Sequence, residues 1–156
     1  MSGHSHANIA PKPALRFAFG LVLMSLILVA AVRFGIWDPG PNAAEQRAMA
    51  SISPVTERLL RFDDRDGNVV VTDLATGQRV ASIGQENSGF VRGVMRGLAR
   101  ERRMHGEGPA KPFRLALWPD GALTLTDTVT ERIVELNGFG PDNRRAFAQF
   151  LAVGGA

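Results

Sequence analysis

Asp73 and Asp127 stand 54 positions apart in matching frames, each preceded by a threonine and followed three residues later by another. Two carboxylates brought to one cleft would suit general acid–base catalysis. An aspartate in a Thr-Asp-x-x-Thr stretch has a simpler use, which is to cap its own turn with its side chain. Asp63, Asp64, Asp66 and Asn68 are crowded as in a calcium loop. An EF-hand also needs a glutamate at its twelfth position and helices on both sides, and here the flanks read as strands. Imidazole is a common metal ligand, but His4 and His6 stand in a polar tail with no further ligand beside them, and His105 falls just after a helix. No Gly-x-Ser-x-Gly, phosphate loop or zinc-site spacing occurs. Cysteine is absent, which excludes thiol chemistry, disulfides, iron–sulfur clusters and covalent haem attachment. The sequence therefore predicts a protein that is not an enzyme, with no catalytic residue, no metal site and no cofactor of its own.

The remaining chemistry is charge. The net charge is only +3, yet Arg92, Arg96, Arg100 and Arg103 recur at helical spacing within the stretch Gly89 to Arg103. Val91, Val94, Met95 and Leu98 fall on a separate stripe of the same helix, the spacing of a core-facing side. Gly93 and Gly97 lie four apart beside the arginines, although each glycine costs a helix roughly 1 kcal/mol relative to alanine. A surface of Phe90, Arg92, Gly93, Arg96, Gly97, Arg100 and Arg103 reads as a docking face that something approaches closely. Solvated charge is the bland reading, and contact with anionic lipid headgroups a third. Nucleic acid is not expected as a partner, because no nucleic-acid motif is present and tyrosine is absent.

These residues need elements to carry them. Phe17 to Val32 is an uncharged apolar run. A helix over residues 15–37 is long enough to span a bilayer, which takes roughly 20 apolar residues. Arg16, Phe17, Gly20, Leu21, Met24, Leu28, Arg33 and Trp37 would form this anchor. Arg33 snorkels and Trp37 sits in the interfacial belt. Gly20 and Ser25 would allow close contact with a neighbouring helix. The run is longer than a signal-peptide core, so a retained anchor is expected. Lys12 and Arg16 before it predict a cytoplasmic N-terminus and an exported C-terminal domain. The expected division is a cytoplasmic tail over 1–14, the anchor over 15–37, a linker over 38–56 and a periplasmic domain over 57–156. Asp38-Pro39-Gly40-Pro41-Asn42 is expected to break the anchor helix.

The domain reads as α+β, built from two similar β-meander-plus-helix units over 57–103 and 113–151. Asp66-Gly67 and Asp120-Gly121 predict tight hairpin turns with positive φ. Val69 and Val71, like Leu123 and Leu125, alternate as in half-buried strands. Asn87 or Ser88 would cap the first helix. The second would begin at Pro141 and bury Phe147, Phe150 and Leu151.

Arg61-Phe62 through Asp66-Gly67, Gly89-Phe90-Val91-Arg92-Gly93 through Arg103, Pro112-Phe113-Arg114-Leu115 through Trp118, and Phe139-Gly140-Pro141 with Ala146-Phe147-Ala148 resemble the photosynthetic complex assembly protein family PuhC of purple phototrophic bacteria. The match runs from about Leu59 to Leu151. Thr130-Glu131 departs from the Thr-Gly turn at Thr76-Gly77, so the second hairpin is expected to differ in shape. The resemblance implies a membrane-anchored assembly factor or accessory subunit of the inner photosynthetic membrane. Its partners would be the reaction centre and core light-harvesting antenna polypeptides, whose complex carries bacteriochlorophyll and carotenoid, together with membrane lipid. The competing expectations are a periplasmic binding module for a carrier such as a cytochrome, and a tethered periplasmic enzyme.

Overall fold

The computed structural model describes residues 11–152 apart from Asn87. The chain divides into two compact units, Met1–Glu45 and Gln46–Ala156. The first contains α1 (Lys12–Arg33), an apolar helix with no buried residue, long enough to cross a membrane. At 1.5 Å per residue it is about 33 Å long. The helix starts earlier and stops earlier than expected. Pro13 lies within its first turn, where proline is tolerated. At the other end Gly35 adopts φ +70°, the Ile36 amide donates to the Ala31 carbonyl and the Gly35 amide to that of Val32. This is a Schellman stop. It places Trp37 outside the helix and makes Asp38 to Asn42 a connector beyond the stop rather than its cause.

The expected linker is partly helical, as α2 (Ala43–Met49). Asn42 Oδ1 accepts from the Glu45 amide, and the Glu45 carboxylate accepts from the Asn42 amide, a reciprocal capping box.

The second unit is a six-stranded antiparallel sheet with two helices. Its strands are β1 (Thr56–Arg65), β2 (Asn68–Asp73), β3 (Arg79–Ile83), β4 (Phe113–Leu117), β5 (Leu123–Asp127) and β6 (Ile133–Glu135), in the order β3-β2-β1-β4-β5-β6. Helix α3 (Gly89–Met104) connects β3 to β4. A short 3-10 helix (Leu136–Phe139) and α4 (Pro141–Ala152) follow β6. β1 and β4 form the central pair, with Leu60 opposite Phe113. Leu60, Val71, Leu115, Leu123 and Leu125 share one face and are fully buried, together with Phe147 and Phe150 of α4. Phe62 ties the layers together, with ring centroids 5.9 Å from Phe113, 6.2 Å from Phe147 and 5.9 Å from Phe150. Edge-on and tilted pairs at these distances are favourable beyond the area they bury.

The turns differ from the sequence reading in two places. Asp66 and Gly67 both take positive φ (49° and 78°), as the tight hairpin requires. At Asp120-Gly121 only Gly121 does, with φ 77°, because Pro119 lengthens the loop. The turns after β2 and β5 are alike instead of different. Asp73 Oδ1 accepts from the Ala75 amide and Asp127 Oδ1 from the Val129 amide, each at 2.8 Å. The two aspartate amides donate to Gln78 and Arg132 carbonyls at 2.9 Å. Glu131 holds the left-handed conformation (φ 58°) that Gly77 holds in the first turn (φ 71°). A residue with a Cβ is strained there. Glu131→Gly is therefore expected to stabilise the domain by about 0.5–1 kcal/mol after the entropy cost of glycine. A melting temperature a few degrees higher would check this.

Candidate functional site

α3 is the element on which the candidate residues meet. Val91 and Leu98 are buried, Phe90, Val94 and Met95 partly so. The apolar stripe continues one turn beyond Leu98, onto Arg102. This residue is 2% exposed and is the largest of the fully buried side chains. Its Nε donates to Asp127 Oδ2 at 2.7 Å, Nη1 to the Lys111 carbonyl at 2.8 Å and Nη2 to the Pro112 carbonyl at 2.9 Å. Its guanidinium carbon lies 3.9 Å from the Phe113 ring centroid. Every face of the buried cation is thus compensated, as a buried charge requires. Asp127 feels burial most strongly, and burial pushes its carboxyl up. The Arg102 hydrogen bond, the Val129 amide, the Arg102 charge and the Thr130 amide outweigh that, and the group sits below the ordinary carboxylate range.

The four-arginine row separates into two kinds. Arg92 belongs to the fold. Its Nε donates to Ser88 Oγ at 2.8 Å, Nη2 donates to the Gly67 carbonyl at 2.6 Å, and Nη1 lies 2.9 Å from Asp64 Oδ2. These bonds fasten the N-terminus of α3 to the first hairpin. They also occupy the Ser88 hydroxyl, which makes no capping bond although Ser88 holds the N-cap position. The alternative cap, Asn87, lies outside the described residues. Arg96, Arg100 and Arg103 are exposed and make no ion pair among the described residues.

Gly93 and Gly97 stand beside these three arginines and continue a series begun by Gly89. A Cβ built at any of the three meets no atom within 4 Å beyond the adjacent residues and the local backbone of the helix itself. The fold therefore gives no packing reason for them. They form one wall of an open groove of about 530 Å³, whose other walls are Phe90, Val94, Leu98, Val134 and Phe139. Phe90 is braced from beneath, 5.3 Å from Phe139 and 5.8 Å from Phe147 by ring centroids. Glu101 and Arg132 supply the charged groups of the lining.

The other candidates are accounted for locally. Asp63 pairs with Arg61 and Arg65, and Asp64 with Arg92. Asp73 and Asp127 cap their turns as expected, and each also holds an arginine, Arg58 and Arg102 respectively. His105 is the C-cap of α3, its Nδ1 2.9 Å from the Glu101 carbonyl. His4 and His6 lie outside the described residues. No group of three or more acidic or imidazole side chains is placed to hold a metal among the described residues. Of the expected anchor residues, Arg16, Phe17, Gly20, Leu21, Met24, Leu28 and Arg33 lie in α1.

Sequence reasoning missed two arginines. Arg102 was signalled by its position four residues after Leu98. Arg47, placed in the linker, is buried against the sheet unit, paired with Glu135 and 3.7 Å from Asp120, with its guanidinium 4.7 Å from the Trp118 ring centroid. Its partners lie more than seventy positions away, beyond the reach of any local pattern.

Comparison with known proteins gives the chain a family. A family model described as photosynthetic complex reorganisation protein PuhC matches residues 55–154. The chain is also similar to a protein of Rhodobacter capsulatus described as an uncharacterized 17.4 kDa protein in the puhA 5' region. The two are 28% identical over 155 residues, covering 96% of this chain and 87% of the relative. No solved structure matches.

Proposed function

The chain belongs to the PuhC family of photosynthetic complex reorganisation proteins, and from that premise we propose that it acts as a membrane-anchored assembly factor or accessory subunit. It promotes formation or stability of the reaction centre with its core antenna. α1 anchors it in the inner membrane, and Lys12 and Arg16 favour a cytoplasmic N-terminus by the positive-inside rule. The sheet unit then works on the periplasmic side. Tethering confines it to the membrane plane and raises its effective concentration, so a modest interface suffices.

The observation that carries this reading is the exposed face of α3. Arg96, Arg100 and Arg103 have no acidic partner among the described residues, and arginine is enriched among residues that dominate protein interfaces. Arg92 is set apart from this face, because its bonds to Ser88, Gly67 and Asp64 serve the fold. We also read the domain as a duplicated unit. The matched Asp73 and Asp127 turns, each holding a buried or half-buried arginine, support that reading. Duplication accounts for a helix after each meander. It does not account for the arginines and glycines of α3, which α4 lacks in this arrangement.

Reversal of Arg96, Arg100 and Arg103 to glutamate is expected to leave the protein folded and to lower its co-purification with the reaction centre and antenna about tenfold or more. Gentle detergent extraction of the tagged full chain measures this. Unchanged recovery of the photosynthetic core would sink the docking assignment.

A further inference from the structure

We propose that the groove between α3 and the β6 edge seats a helix of a partner protein that carries a ridge of carboxylates. This inference rests on the docking reading of α3 and specifies what docks. Three features of the groove fix the chemistry of the occupant.

The first is the glycine wall. Gly89, Gly93 and Gly97 lie on successive turns, so the wall is about 12 Å long at 1.5 Å per residue. Beyond the adjacent residues and the local backbone of the helix itself, no atom lies within 4 Å of a Cβ at any of them. Glycine in a helix interior is unfavourable, and Gly93 and Gly97, in line with Gly89 of the first turn, leave bare backbone open to an approaching chain. A helix can lie against such a wall at closer range than side chains permit, as small-residue seams allow between helices. A fluid lipid headgroup gains little from this geometry.

The second is the apolar floor. Phe90 and Phe139 stand 5.3 Å apart, with Val94, Leu98 and Val134 completing the walls. The space of about 530 Å³ takes one or two bulky apolar side chains from the occupant. An aromatic or aliphatic anchor in such a recess is how helix-in-groove recognition obtains affinity.

The third is charge. Around the helix axis Arg103, Arg96 and Arg100 come first, with Gly89 between Arg96 and Arg100, then Gly93 and Gly97, then the apolar groove. A helix lying on the glycines presents one edge to the arginines and the other to the groove. The arginine edge demands carboxylates at spacings of three or four residues, matching Arg96, Arg100 and Arg103. A second copy of this chain does not supply them through α3, because Glu101 is the sole acid of that helix.

The test uses the full-length chain in native membranes. Cysteine is absent from the sequence, so Met104→Cys, at an exposed position by the glycine wall, carries a single photo-activated cross-linker. The expected adduct is with a helical segment of another protein bearing carboxylates three or four residues apart. Adding Gly93→Leu and Gly97→Leu fills the groove. Helix propensity rises, so the melting temperature should hold or increase, while adduct yield should fall about tenfold or more. A folded Leu pair with undiminished adduct overturns the inference. So does an adduct with lipid, pigment or a second copy. If glutamates at 96, 100 and 103 abolish co-purification while the Leu pair does not, the docking reading survives and the seated helix does not. If the Leu pair abolishes the adduct and the glutamates leave it intact, the carboxylate ridge is wrong.

Discussion

Arg102→Met should destabilise the domain by about 3–5 kcal/mol, the usual cost of removing one member of a buried ion pair. Methionine fills much of the space but leaves the Asp127 carboxylate buried without its cation, and the Lys111 and Pro112 carbonyls without donors. Asp127→Asn in the same chain should recover part of the loss, because asparagine still accepts the Val129 amide and carries no charge. Arg58→Met is the contrasting case. Its pair with Asp73 is longer, at 3.2 Å, and Arg58 is 20% exposed, so about 1 kcal/mol is expected. Urea unfolding of the detergent-solubilised full chain, followed by circular dichroism, separates the two.

The pH dependence has a definite sign. Because the folded Asp127 carboxyl is depressed, its contribution is fully present above the ordinary carboxylate value of about 4 and fades as pH falls through the lower folded value. Without Arg102, burial is opposed only by the Val129 and Thr130 amides, so most of the depression is lost. Ionisation above about 4 then adds less stability than in the parent. The deficit of Arg102→Met relative to the parent should be largest at neutral pH and narrow on acidification. A deficit independent of pH between about 4 and 7 would mean that the arginine matters for its packing rather than its charge.

The site and the fold were legible to different depths. Strand alternation at Val69/Val71 and Leu123/Leu125, together with the Asp-Gly signal at residues 66–67, exposed the meanders. Local pattern was sufficient because each meander joins strands that are neighbours in sequence. The central β1–β4 pair was invisible, since its register joins residues more than fifty positions apart. Glycines were readable as an anomaly because helix propensity is local, although Gly89 was overlooked at the helix start. Arginines were not readable one by one. Arg92, Arg96, Arg100 and Arg103 share a face in projection, yet Arg92 is consumed by Asp64 and Gly67, which arrive from a distant hairpin. Arg102 and Arg47 were hidden for the same reason. Whether a charge is structural or free depends on partners that only the tertiary fold supplies.

Met24→Arg combined with Leu28→Arg should release the protein from the membrane fraction. The two positions are four apart on α1 and well inside its apolar span. A charge near the middle of a spanning helix costs about 2.5–3.5 kcal/mol on the insertion scale, so the pair costs about 5–7 kcal/mol. Neither arginine can reach the interface as Arg33 can at the helix end. α1 has no polar partner at either position, and its one described hydroxyl, on Ser25, is already bonded to the Val22 carbonyl. The substitutions lie outside the sheet unit, whose buried core is drawn from its own residues. The measurement is the share of tagged protein that stays with membranes after alkaline carbonate extraction. The parent should stay almost entirely, and the variant should appear in the soluble fraction with a folded domain. An association with the photosynthetic core that survives this release would assign partner binding to the sheet unit alone. If the released domain no longer binds, either confinement by the anchor or contacts of α1 itself are required. Replacing α1 by an unrelated apolar helix tells these apart, because confinement is restored without its side chains.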